Sequence, residues 1–186
     1  SFAYGVIGQE IFAGAAVWSQ ALAAAGMTVC SPVELYQDPL QQRGRRPEFD
    51  LGDPAIRQQY LDQAHSMPGP EVPNVYLFGV PCTSFCDFAL LNHGTRTYSQ
   101  PEGVPGKRTT SEEAGNLFFE WTCAMCEAAY DNDKEFIIEN SMPSGRYPKL
   151  WDQPAIQRLQ QRTGALIVTT HLCEWGLAPG QWCLVS

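Results

Sequence analysis

Asn74-Val75-Tyr76-Leu77-Phe78-Gly79-Val80-Pro81-Cys82-Thr83-Ser84-Phe85 is the stretch whose reading decides the fold. Val75 to Val80 is aliphatic and aromatic apart from one glycine, and Pro81 closes the run, as at the end of a buried strand. Unbroken apolar strands of this kind belong to parallel sheets covered by helices. A second such strand, Phe136-Ile137-Ile138, runs directly into Glu139-Asn140-Ser141. A thiol and a carboxylate therefore follow two buried strands, at the ends where an open α/β sheet forms its ligand crevice. A cysteine nucleophile with an acid beside it is equipped for covalent chemistry.

Outward from these strands, strand and helix signals alternate as in a sheet flanked by helices on both faces. Residues 7–12 read as a first strand, despite the polar Gln9 and Glu10, and an Ala-rich helix follows over about 16–25, closed by Gly26. Residues 28–33 read as the second strand, ending at Glu34. Residues 35–47 read as a polar loop, and Phe49-Asp50-Leu51 as a short strand. Asp53-Pro54 supplies an N-cap and first-turn proline for a helix to Ser66. Residues 83–110 lack periodicity, as functional loops and lids do. The helix from Thr110 starts with cap-like chemistry at Ser111-Glu112-Glu113 and carries Leu117, Phe118, Trp121, Met125 and Ala128 at helical spacing. A helix over 151–162 ending at Gly164, a strand over 165–170 and a final strand or hairpin arm over 181–185 complete the pattern.

The 186 residues are most simply one domain, 1–186, and 44% hydrophobic content supports a packed core rather than disorder. No apolar run reaches the length of a membrane span, and no signal peptide is visible. The start at Ser1 and the apolar end fit a processed product or a fragment of a longer chain. A net charge of −8 repels a phosphate backbone at long range, although Arg43-Gly44-Arg45-Arg46 and Lys107-Arg108, with Arg96 nearby, cluster positive charge. The arginines are either solvated loop charges or local contacts. Seven irregularly spaced cysteines point to an intracellular, reducing compartment rather than a disulfide framework. Cys123 and Cys126 have redox or zinc-knuckle spacing but sit within a helical run, where small buried thiols explain them better. His65, His93 and His171 show no ligand spacing, so no metal is expected.

Four segments, in order, resemble the cytosine-5 DNA methyltransferases: Ile11-Phe12-Ala13-Gly14, Val33-Glu34, Gly79-Val80-Pro81-Cys82-Thr83-Ser84-Phe85 and Phe136 to Asn140. Gly115 to Glu120 also looks like the helix between the last two. The resemblance implies a Rossmann-like class I S-adenosylmethionine-dependent methyltransferase fold, α/β, with a largely parallel sheet and no separate target-recognition domain. It implies that Cys82 attacks carbon 6 of a cytosine while Glu139, followed by Asn140, binds the ring nitrogen and amine. Phe12, Ala13, Gly14 and Pro81 would then shape the S-adenosylmethionine site, Glu34 would hold the ribose hydroxyls and Asp50 would meet the adenine amine. DNA would be the substrate, extruded base by base, with 83–110 as lid and the nucleus as the compartment of an active eukaryotic enzyme.

The chain departs from that pattern in three places. Ala16 stands where a second glycine is usual, Cys86 replaces a serine, and 176–183 lacks the arginines that grip the base. Arg146 and Lys149, in the loop that follows Glu139, are the basic alternatives. On residues alone, Glu34 also reads as a solvated loop acid, and Asp50 as one of the acids that turns and helix caps use near Asp53-Pro54. The alternative to an enzyme is a catalytically inactive domain of the same fold serving as a structural or binding subunit, with protein partners.

Overall fold

The computed structural model describes residues 5–141, 145–171 and 182–185. The chain packs as two compact units, one built on the chain up to Gly79 with Ala124–Ile137, the other on Val80–Cys123 with the chain from Ile138 onward.

The first unit is built around a parallel sheet. Its central strand β1, Ile7–Ile11, is buried at every residue. The helix α1, Val17–Ala24, packs against it. A β-carbon at Gly8 would come within 2.5 Å of Leu22 and 3.0 Å of Trp18, so any larger residue would force these side chains to shift. The polar pair Gln9 and Glu10 is buried with partners. Gln9 Nε2 donates to the Ser31 carbonyl at 2.8 Å. Glu10 Oε2 accepts the Ser19 N–H at 2.8 Å, so a strand carboxylate caps a helix whose own N-cap residue, Ala16, has no side chain to do it.

On one side β1 pairs in parallel with β2, Thr28–Val29. Pro32 has no N–H, so the expected strand over 28–33 is cut short and resumes only as a single bridge, Ile11 to Val33. On the other side β1 pairs with β5, Val75–Gly79, in the register Gly8 to Val75 through Ile11 to Phe78. With β6, Glu135–Glu139, the sheet order is β2-β1-β5-β6. This is an α/β fold with a four-stranded parallel sheet, compatible with a Rossmann-like topology. Strand order reverses between β1 and β5, and ligands of doubly wound sheets bind in the crevice at such a reversal, beyond the carboxyl ends of the strands.

Two expectations for 35–51 change. The supposed loop is an antiparallel hairpin of β3, Tyr36–Asp38, and β4, Arg43–Arg45, with Tyr36 opposite Arg45. The supposed strand at 49–51 is instead the end of a 3-10 turn, Pro47–Phe49, and a tight turn at Asp50. The helix α2, Pro54–His65, starts as its sequence predicts, with Asp53 accepting the Ala55 N–H at 2.8 Å. Lys134 is buried and donates to the Gln63 and Ala64 carbonyls at 2.8 and 3.0 Å, closing the carboxyl end of α2.

In the second unit the segment 83–110 is pinned. A 3-10 helix, Asp87–Asn92, follows the Cys82 turn. Arg96, one of the basic residues read as either solvated loop charges or local contacts, is buried. It donates to the Ser84 and Pro101 carbonyls at 2.9 and 2.6 Å and lies 4.2 Å from the Phe85 ring. Buried Glu112 accepts N–H groups from Thr95, Arg96 and Thr109 at 2.6, 3.0 and 2.8 Å. Thr109 Oγ1 in turn accepts the Glu112 N–H, so the capping box of α3, Thr110–Asp131, sits one residue before the expected start. The helix α4, Pro154–Thr163, ends at Gly164 in the left-handed region. The strand β7, Val168–His171, pairs antiparallel with β8, Trp182–Val185, as a hairpin arm.

Candidate functional site

In the first unit, the backbone leaving β1 builds a cleft of about 730 Å³, within the range of small-molecule and cofactor sites. Gly14, Ala15 and Ala16 line it together with Pro32, Glu34, the hairpin residues Tyr36 to Leu40, and Arg46. Glu34 Oε2 accepts the Gly14 N–H at 3.0 Å, so two segments singled out in the sequence meet directly. The other carboxylate oxygen has no hydrogen-bond partner among the described residues. Arg46 donates to the Glu34 carbonyl at 2.7 Å and stacks 4.7 Å from the Phe49 ring, fixing the acid from behind. Its Nε is buried without a protein partner. Nothing in the sequence marked Arg46 apart from its neighbours Arg43 and Arg45.

Phe12 and Ala16 adopt left-handed backbone, with φ of 58° and 54°. Ala13 is buried, and its N–H donates to the Val33 carbonyl at 3.1 Å. Asp50 lies outside the cleft lining. One of its oxygens takes Arg45 at 2.5 Å, the other the Gly52 N–H at 2.9 Å.

In the second unit, Pro81 is half-buried and Cys82 is exposed. A turn closed by the Phe85 N–H on the Cys82 carbonyl at 2.8 Å holds the thiol outward. Asn140 is buried and its Nδ2 donates to the Val80 carbonyl at 2.7 Å, tying the residue after Glu139 to the approach to Cys82. Ser141 reinforces this by donating to the Phe85 carbonyl at 3.4 Å. Asn140 thus acts on the site through backbone.

The electrostatics of Cys82 follow. Crowding by protein atoms on its inner side is the largest influence and raises the pKa, and the nearby Cys86 and Glu139 raise it further. Its own backbone N–H and the Lys149 ammonium pull the other way but do not prevail. Lys149 is buried and bonded at 2.5 Å to Asp87, on the same loop as Cys82. Sequence alone could name Lys149 as a nearby cation; only folding brings its charge to bear on the thiol. Arg146 lies among the described residues, whereas the arginine-free stretch 176–183 falls largely outside them.

No protein-family model matches the chain, and no curated protein is similar to it. Among the described residues no cluster of His, Cys, Asp and Glu could hold a metal ion. No described helix is long and apolar enough to cross a membrane.

Proposed function

We propose that the chain is a cytosine-5 methyltransferase-like domain of the class I, Rossmann-like kind, using S-adenosylmethionine to methylate cytosine in DNA through a covalent bond to Cys82. The observation that carries this reading is that Cys82 and Glu139, distant in sequence, lie close enough for the carboxylate's charge to raise the thiol's pKa. The cleft at Gly14 and Glu34 fits a nucleoside with a free ribose edge, because it presents a fixed carboxylate with an oxygen to spare. When bound, S-adenosylmethionine supplies an electrophilic methyl group.

The chain's own residues would act as follows. Before substrate arrives the raised pKa keeps Cys82 a neutral thiol. Glu139, hydrogen-bonding the cytosine amine, takes up a proton from solvent and shares it with ring nitrogen 3, losing the charge that opposed the thiolate. Cys82 then gives up its own proton to solvent more readily, with Lys149 still favouring the anion, and adds to carbon 6. Carbon 5 gains the methyl group and loses its proton to a base, and Cys82 leaves as a thiolate. Substrate binding thereby switches on the nucleophile.

A second reading is a non-catalytic domain of the same fold acting as a subunit of an assembly. The net charge of −8 and the Ala16 side chain on the cleft wall favour it. Calorimetry and methyl transfer separate the two. The enzyme reading expects S-adenosylmethionine to bind wild type and Glu34→Ala to weaken binding by about tenfold to a hundredfold, the loss of one hydrogen bond to a charged group. It also expects labelled methyl to appear in DNA with wild type and not with Cys82→Ser. Absence of binding by folded protein would favour the structural domain. Equal transfer by Cys82→Ser would end the cysteine mechanism.

A further inference from the structure

We propose that Cys82 and Cys86 form a dithiol pair that closes reversibly into an intrachain disulfide, taking the exposed sulfur out of service. The inference concerns the thiols themselves and holds whatever reaction the site performs.

The geometry comes from one turn. The Phe85 N–H bonds the Cys82 carbonyl at 2.8 Å, and a turn of this kind keeps its ends within about 7 Å. Cys86 comes next, at the N-cap of the 3-10 helix Asp87–Asn92. Its Sγ is folded back to donate to the Thr83 carbonyl at 3.7 Å, which places the sulfur over the residue adjoining Cys82. The two sulfurs are unequal in access, Cys82 being exposed and Cys86 half-buried. The outer one meets an incoming reagent and the inner one lies behind it. Cys123 and Cys126, on α3, are both buried. The serine-to-cysteine departure at position 86 thereby acquires a use.

The oxidant is a small disulfide such as glutathione disulfide. The Cys82 thiolate attacks one of its sulfurs, forming a mixed disulfide and releasing one thiolate. Cys86, giving up its proton to solvent, attacks the Cys82 sulfur and expels the second. The pair is oxidised by two electrons, and the reagent is reduced to two thiols. Burial first, then Cys86 and Glu139, hold the Cys82 thiol above its ordinary range against the pull of its own backbone N–H and the Lys149 ammonium, so the thiolate fraction, and with it the first attack, grows as pH rises.

The test treats the full chain with glutathione disulfide at mildly alkaline pH, followed by intact mass and peptide mapping. Wild type should lose two hydrogens, with the bridge mapped to 82 and 86 and reversed by dithiothreitol. Cys86→Ser, which keeps a donor for the Thr83 carbonyl, should instead retain one glutathione on Cys82. Phenylarsine oxide, which clamps two neighbouring thiols, should bind wild type one to one and protect Cys82 from alkylation, with protection lost in Cys86→Ser. Persistent glutathione on wild-type Cys82, a bridge between other cysteines, or no reaction at Cys82 would each overturn the proposal.

Discussion

Ala16 holds the left-handed conformation, φ 54° and ψ 39°, at the residue that starts α1 and lines the cleft. A β-carbon there costs about 1–2 kcal/mol, partly offset because glycine has more freedom to lose on folding. Ala16→Gly should therefore stabilise the chain by roughly 0.5–1 kcal/mol, read as a higher urea midpoint with an unchanged slope. At Cys82 the signs can be separated by charge removal. Glu139→Gln deletes one of the negative charges that raise the thiol, so the pH midpoint of its alkylation by iodoacetamide should fall. Lys149→Met deletes the cation that lowers it, so the midpoint should rise. A profile unmoved by either change would mean that neither group acts on the sulfur.

At the scale of elements, the loop 83–110 depends on Arg96 and Glu112. Burial alone would raise the Glu112 pKa. The N–H groups of Thr109 and Thr95, the Thr95 hydroxyl and the Arg96 charge outweigh it and hold the carboxyl below its usual range. Tyr147, whose hydroxyl donates to Glu112 at 3.4 Å, is pushed up to about 12 by burial and by that carboxylate. Arg96→Met leaves the buried carboxylate without its cation and should cost about 3–5 kcal/mol, measured by urea denaturation. Lys134 carries a pH signature. Burial lowers its pKa to about 8 from the ordinary 10.5, so between those values the unfolded chain binds more protons than the folded one. Its contribution to stability is absent below about pH 8, grows as pH rises, and is complete above 10.5. Buried Tyr76, raised by desolvation, works in the opposite direction at high pH. The effect is therefore the difference between wild type and Lys134→Met, and that difference should favour wild type increasingly from about pH 8 to about pH 10.

Across the whole molecule, the strands over 75–79 and 135–139 were legible because apolar runs that stop at Pro81 and Glu139 are too short for helices and too apolar for loops. The α/β class followed from them. Pro32 should have signalled the break in the second strand, since it cannot donate to a ladder. The hairpin 36–45 was hidden because its residues are polar and arginine-rich, with no buried face to impose alternation. The sequence left Arg96 open between solvated charge and local contact for a related reason: arginine is usually at the surface, and only the carbonyls gathered around it justify its burial. The resemblance grouped Glu34 and Gly14 in one site without foretelling the hydrogen bond between them, and the contacts of Arg46 and Lys149 depend on packing that no local pattern encodes.

The central claim is that Cys82 bonds covalently to cytosine while Glu139 holds the ring. A duplex carrying 5-fluorocytosine tests it most directly, because fluorine at carbon 5 leaves no proton to remove and freezes the adduct. With S-adenosylmethionine present, denaturing gels and mass spectrometry should show wild type joined to DNA through Cys82, with Cys82→Ser free. A folded wild-type chain that forms no adduct, or one linked through another residue, would contradict the account.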